Sequence, residues 1–231
     1  MNRFFTIKSS CVLCGDATDQ PISLCRPCQV DLPRIDHACG RCGLPVTESQ
    51  QGLCGQCLKT PPAIDYTHSL FYYESPIDYL IGQLKFEEEL ACASIFGHLL
   101  ARSLNSSFSM NTGGDMPDVI IPVPLHKKRL SKRGFNQSLE IARPVSKQLQ
   151  LPIDTQCVRR TKSTRAQAKL NIAQRKRNIK GCFEIQKDHS YQHIILIDDV
   201  ITTGSTINEL ARILKQSGVD KVGVWSIARA V

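Results

Sequence analysis

The chain has 231 residues, 42% of them hydrophobic and 22% charged, with a net charge of +8. That length accommodates one medium-sized domain with a small module beside it, and the apolar fraction is that of a folded chain. No run of about 18 apolar residues exists, which argues against a helical membrane span, and the first ten residues hold too little apolar sequence for a secretory leader, so a cytoplasmic location is expected.

Eight of the eleven cysteines fall before residue 58, as four C-x-x-C pairs: Cys11/Cys14, Cys25/Cys28, Cys39/Cys42 and Cys54/Cys57. Each pair closes a knuckle whose two thiolates share one metal, and two knuckles complete a tetrahedral Cys₄ site. Gly15 and Gly43 directly follow the second cysteine of the first and third pairs, where a positive φ is often needed. This internal repeat predicts two consecutive sites, Cys11/Cys14/Cys25/Cys28 and Cys39/Cys42/Cys54/Cys57, each holding a structural Zn²⁺. Disulfides, redox pairs and an iron–sulfur cluster are the alternatives; without a secretory signal the disulfide reading is disfavoured. Cys92 reads as core, while Cys157 and Cys182 have no assigned role.

Lys59-Thr60-Pro61-Pro62 breaks the pattern, placing a boundary between a cysteine-rich module (residues 1–65) and a second domain (66–231). A strand is predicted over residues 69–73, a helix opened by Ser75-Pro76 with Ile77, Leu80, Ile81 and Leu84 on one face, and a second helix over residues 90–104. Residues 105–116 read as a flexible loop. Val119 to Pro124 reads as a buried strand and residues 134–149 as a helix, kinked or broken at Pro144. Short strands follow at residues 182–185 and 193–197, then a last one at 222–227. Strands alternating with helices predict an α/β domain built on a parallel sheet, with ligands beyond the carboxyl ends of the strands.

Two features there carry chemistry. Ile194 to Ile197 lead into Asp198 and Asp199, then Val200, Ile201 and a hydroxyl-rich loop, Thr202-Thr203-Gly204-Ser205-Thr206, before a helix with Ile207, Leu210, Ala211 and Leu214 on one side. Backbone amides at a helix N-terminus favour an anion, and adjacent acids suit hydroxyls or a metal-bound sugar, so this is a phosphorylated-sugar site. Between Lys127 and Lys180, sixteen Lys or Arg residues stand against two acids, Glu140 and Asp154. Such a concentration implies a polyanionic partner: diphosphate, nucleic acid, or both.

The run Ile195 to Thr206 resembles the phosphoribosyl-diphosphate signature of type I phosphoribosyltransferases. Leu84-Lys85-Phe86, Pro122-Val123-Pro124-Leu125-His126, Arg133-Gly134-Phe135-Asn136-Gln137 and the stretch Gln167, Leu170, Arg175, Asn178, Gly181, Phe183 are similar, with the cysteine module, to the ComF (ComFC/GntX) branch. The resemblance implies a type I phosphoribosyltransferase-like parallel sheet flanked by helices behind an N-terminal double zinc ribbon. It implies that Asp198 and Asp199 engage ribose hydroxyls directly or through Mg²⁺, that residues 202–206 wrap the 5′-phosphate, and that Pro124, Leu125, His126, Lys127, Lys128 and Arg133 line the diphosphate side. Asp198, Asp199 and Arg133 are then the catalytic candidates.

Two functions follow. One is a DNA-uptake protein of natural transformation that binds single-stranded DNA and phosphoribosyl diphosphate beside a helicase-like ComFA partner. Its DNA contacts would be Lys127, Lys128, Arg129, Lys132, Arg133, Arg159, Arg160, Lys162, Arg165, Lys169, Arg175, Lys176 and Arg177, with strong salt dependence. The other is an active phosphoribosyltransferase that joins ribose 5-phosphate to an unidentified base or amine.

Overall fold

The computed structural model describes residues 9–48, 52–110, 116–163 and 179–231, and for 107–110 the backbone only. The cysteine-rich segment forms two short strands, β1 (Ser9–Ser10) and β2 (Ala17–Thr18), and two short helices, α1 (Arg26–Val30) and α2 (Gly55–Lys59). Then come β3 (Tyr66–Tyr72), α3 (Ile77–Phe86), α4 (Leu90–Met110), β4 (Val119–Pro122), α5 (Lys127–Arg133) and α6 (Gln137–Leu149). The chain continues through β5 (Val158–Arg160), β6 (Phe183–Ile185), β7 (His193–Ile201), α7 (Ser205–Gln216) and β8 (Lys221–Arg229).

β3, β8, β7 and β4 lie side by side in that order, and every pairing is parallel. Side chains of a strand alternate between faces, and both faces of this sheet are covered, which is why β7 reads as an unbroken apolar run. Ile195 and Ile197 pack with Leu80 of α3, Phe96 of α4 and Ile141 of α6. Ile194 and Leu196 pack with Ile207, Leu210 and Leu214 of α7 on the other side. Ile22, Leu24 and Leu32 of the cysteine module join Leu70 and Phe71 of β3 in the first of these clusters, so module and domain share one core.

The elements depart from the sequence reading in several places. The strand expected at 182–185 is β6, and it pairs antiparallel with β5 in a separate ribbon instead of joining the parallel sheet. β7 runs on through both acids to Ile201, hydrogen-bonded to β8 as far as Arg229. α4 extends to Met110, into the segment read as a loop. The helix expected over 134–149 is α6, which starts at Gln137 and runs through Pro144 to Leu149; an unexpected helix, α5, precedes it and ends at Gly134, whose φ is 79°.

Pro144 lies within α6 as a packing element. A side chain at Gly97 of α4 would place its Cβ 2.2 Å from Pro144 Cγ and 2.5 Å from the Ile141 carbonyl oxygen. Glycine therefore sets how closely the two helices approach. Gly97→Val is expected to destabilise the fold by about 1–3 kcal/mol through overpacking. Urea unfolding should show a lower midpoint at unchanged slope; an unchanged midpoint would mean that the helices separate freely.

Candidate functional site

Two constellations stand out. In the module, Cys11, Cys14, Cys25 and Cys28 form one cluster and Cys39, Cys42, Cys54 and Cys57 another, with the ligand atoms of each within 4.8 Å of one another. Gly15 and Gly43 have φ of 80° and 68°, as the knuckle turns require. Burial opposes ionisation of Cys11 and Cys39, but backbone amides from neighbouring residues outweigh it and draw both thiols down to about 6. Cys28 is pushed up chiefly by its hydrogen bond to Cys25, and Cys57 chiefly by burial. Four adjacent thiolates repel until a dication neutralises them, and a sulfur-only tetrahedral set suits Zn²⁺. The clusters fit two structural zinc ions.

The second constellation lies at the carboxyl ends of β7 and β4, around a cavity of about 670 Å³. Its floor is Asp198 and Asp199. Asp198 Oδ1 accepts hydrogen bonds from Ser138 Oγ at 3.1 Å and from the Asp199 amide at 3.0 Å. Asp199 Oδ1 accepts from the Val200 amide at 2.8 Å, and its Oδ2 is ion-paired with Lys85 Nζ at 2.6 Å. Asp198 Oδ2 is thus the carboxylate oxygen of the pair without a protein partner among the described residues. Burial, reinforced by the charge of Asp199, pushes the Asp198 carboxyl up to about 7.

Residues 202–206 form the second wall. Gly204 has φ of 71° as N-cap of α7, a left-handed conformation that glycine adopts without strain. Thr203 and Ser205 hydroxyls are 2.9 Å apart. The first amides of a helix lack intrahelical acceptors and, with the helix dipole, favour an anion.

Cations make the third wall. Arg129, Lys132 and Arg133 share one face of α5 at i, i+3, i+4 spacing, and Arg160 comes from β5. Arg133 donates to Gln137 Oε1 at 2.7 Å, and the Arg160 guanidinium lies 5.4 Å from the centre of the Phe183 ring. Burial, then the charge of Arg129, lowers the pKa of Arg160; burial also lowers that of Arg133, where Asp199 opposes and Arg129 adds. An anion between them relieves that repulsion.

A strap joins the two constellations. Arg229, at the end of β8, donates from Nε to the Cys42 carbonyl at 3.2 Å. Its Nη1 donates to the carbonyls of Ile201 (3.1 Å), Thr202 and Ala230. The second cysteine cluster also meets β3, where Thr67 bonds the carbonyls of Gly40 and Arg41 at 2.9 and 2.7 Å.

Of the residues anticipated from the sequence, Asp198, Asp199, Val200, Ile201, Thr202, Thr203, Gly204, Ser205, Thr206, Leu125 and Arg133 line the cavity together. Pro124, His126, Lys127 and Lys128 do not line it. His126 instead caps α5, its Nδ1 accepting from the Lys128 amide at 3.2 Å, and Asn136 caps α6 while donating to the Val123 carbonyl at 3.1 Å. Arg159 pairs with Glu184 at 3.2 Å on the surface, and Lys162 lies near Gly181, outside the cavity lining. Arg165, Lys169, Arg175, Lys176 and Arg177 lie outside the described residues. Sequence reasoning missed Tyr73, Glu88 and Ser138; Lys85, Phe86 and Gln137 had a signal in Leu84-Lys85-Phe86 and Arg133-Gly134-Phe135-Asn136-Gln137, without a role.

The Double zinc ribbon domain family matches residues 6–58, and the Phosphoribosyl transferase domain family matches residues 136–230. The chain is 36% identical to the DNA utilization protein YhgH of Shigella flexneri, over 98% of this chain and 99% of the relative. It is 32% identical to Competence protein F of Haemophilus influenzae over the whole of both chains. Among solved structures, the adenine phosphoribosyltransferase of Leishmania tarentolae aligns with 68% of this chain and 91% of its own, at 12% identity and a TM-score of 0.33.

Proposed function

This chain belongs to the family of Competence protein F and the DNA utilization protein YhgH, and from that membership we propose that it serves DNA uptake by binding single-stranded DNA and, in the cavity at Asp198, phosphoribosyl diphosphate with Mg²⁺. Among the described residues no helix is long and apolar enough to cross a membrane. A helicase-like ATPase of the ComFA kind completes the reading as the partner that moves the strand.

One observation carries it: a carboxylate pair, a hydroxyl-rich loop at a helix N-terminus and five cationic side chains (Lys85, Arg129, Lys132, Arg133 and Arg160) surround a single cavity. The loop fits a 5′-phosphate, the cations a diphosphate, and the open oxygen of Asp198 a ribose hydroxyl. That same oxygen suits one bond to Mg²⁺, which keeps most of its waters and takes its remaining ligands from substrate phosphates.

Because folding raises the Asp198 pKa, the folded chain retains a proton that the unfolded chain releases between about pH 4 and pH 7, so this group lowers stability as pH rises through that interval. Ligand binding runs the other way, since an ionised Asp198 is the better partner for a hydroxyl or a cation. Calorimetric titration of phosphoribosyl diphosphate with Mg²⁺ should show affinity rising toward pH 7, up to tenfold per unit, then levelling. Asp198→Asn should remove about 10–100-fold of affinity, the worth of a hydrogen bond to a charged group, together with that pH dependence. Equal affinity in the variant would place the ligand elsewhere.

The enzyme reading has its own support. Tyr73 and Phe86, the latter 76% exposed, stand at the cavity mouth, where an aromatic acceptor would stack. In that reaction an acceptor nitrogen bonds to C1 as the bond from C1 to diphosphate oxygen breaks. Diphosphate leaves with the electron pair, stabilised by the cationic wall. Release of diphosphate on adding a base or amine decides for it.

A further inference from the structure

A second cleft, of about 470 Å³, lies where the cysteine module meets α4, lined by Gln20, Arg26, Gln29, Val30, Arg34 and Arg102. It shares no lining residue with the cavity at Asp198. Its arginines come from three separate places: the start of α1, the segment just after α1, and α4. No carboxylate lines it, and among the described residues none of the three arginines has an ion-pair partner.

Gln29, Arg34 and Arg102 have partners that hold them, while Arg26 is exposed at the rim. Gln29 is only 8% exposed; its Nε2 donates to the Leu24 carbonyl at 2.8 Å, which leaves Oε1 to accept from Arg102 Nη1 at 3.5 Å. The Arg34 guanidinium lies 5.3 Å from the centre of the fully buried Phe71 ring. Its backbone is bridged to Phe71, with Ile35 donating to the Leu70 carbonyl at 3.0 Å and Tyr72 to that of Pro33 at 2.9 Å. Positioned guanidinium forks without acids among them match phosphate oxygens bidentately. Val30, 72% exposed, adds an apolar surface against which a sugar or base can rest.

We propose that this cleft seats the phosphate backbone of single-stranded DNA, leaving the cavity at Asp198 to the diphosphosugar. The assignment rests on the DNA-binding reading above and relocates its contacts. Arg129, Lys132, Arg133 and Arg160, expected from the sequence to meet DNA, are turned to the cavity instead. DNA and phosphoribosyl diphosphate therefore bind together rather than in competition.

The test is fluorescence anisotropy of a labelled oligodeoxythymidylate against the full chain over a range of salt concentrations. The probe is titrated into wild type and into a variant carrying Arg26→Gln, Arg34→Gln and Arg102→Gln. The variant should bind at least tenfold more weakly at low salt, and its slope of log affinity against log salt should be shallower by about 2, at about 0.7 per single-strand phosphate lost. Its melting curve and its affinity for phosphoribosyl diphosphate should match wild type, and saturating diphosphosugar should shift wild-type DNA affinity less than twofold. A variant with unchanged slope and affinity overturns the cleft assignment and leaves the DNA-binding reading standing, as does displacement of DNA by the diphosphosugar. A wild-type chain that binds no oligonucleotide overturns both. Loss in the variant of an acidic protein partner with DNA binding intact reassigns the cleft to protein.

Discussion

A Cys39→Ser chain is expected to carry one zinc ion where the native chain carries two, and to lose the fold of the second half of the module. Cys39 is fully buried, and its sulfur accepts from the Cys54 amide at 3.3 Å, so it holds both knuckles of its cluster. Structural zinc contributes about 10–16 kcal/mol of apparent binding energy in small zinc modules. That is as large as the whole stability of an ordinary domain, about 5–15 kcal/mol. Unloading the cluster therefore unfolds what surrounds it. The consequences reach further, because Gly40, Arg41 and Cys42 supply the carbonyls bonded by Thr67 and Arg229. Zinc release measured with a chromogenic chelator, alongside the near-ultraviolet circular dichroism of the whole chain, checks this. Native melting and spectra after complete zinc removal would show that the cluster is not structural.

Arg229→Met should lower the midpoint of thermal unfolding by about 6–12 °C, corresponding to about 3 kcal/mol at 2–4 °C per kcal/mol for a chain of this size. Methionine fills much of the volume but offers no donor to the four carbonyls, those of Cys42, Ile201, Thr202 and Ala230, that converge on the guanidinium. Carbonyls stripped of a charged donor bear a desolvation penalty, which is smallest at Ile201, whose carbonyl keeps the Ala230 amide at 2.9 Å. Arg229 is buried and absent from the cavity lining, so any weakening of phosphoribosyl diphosphate binding comes through loop position. Hydrogen exchange of the amides of residues 202–206, measured without ligand, reads that position directly. Faster exchange in Arg229→Met, partly restored in Arg229→Lys, is the expected result; identical exchange in all three chains would confine Arg229 to stability alone.

The parts of this molecule that the sequence disclosed are those whose chemistry is local. Cysteine spacing and the glycines after Cys14 and Cys42 specify the two clusters within a few dozen residues. The apolar run into Asp198, Asp199 and residues 202–206 specifies strand, loop and helix at once. What stayed hidden has identifiable causes. α5 carries Leu130 as its one apolar residue, so no periodicity betrays it and its charge alone was visible. β5 has three residues, with Arg160 at a buried position, which masks the alternation, so the antiparallel partner of β6 was not visible. Thr67 and His68 extend β3 beyond its expected start with polar residues, and Thr67 faces module carbonyls rather than solvent. Lys85 and Asp199 stand more than a hundred residues apart, and their ion pair exists only once the sheet is assembled.

The strand order also has a consequence for how the chain comes together in time. β3 and β7 are not neighbours; β8, which follows both in the chain, lies between them, pairing Tyr66 with Gly223 and Ile197 with Trp225. No pairing of earlier elements stands in for it, so closing this sheet demands contacts across more than 150 residues, the kind of topology that folds slowly. Until β8 arrives, β3 and β7 each present an unsatisfied edge, and Arg229 has not reached the loop it holds. A nascent chain therefore has its metal clusters within reach well before it has a floor for the cavity: the zinc module is the early half of this protein, and the phosphosugar cavity is the late one.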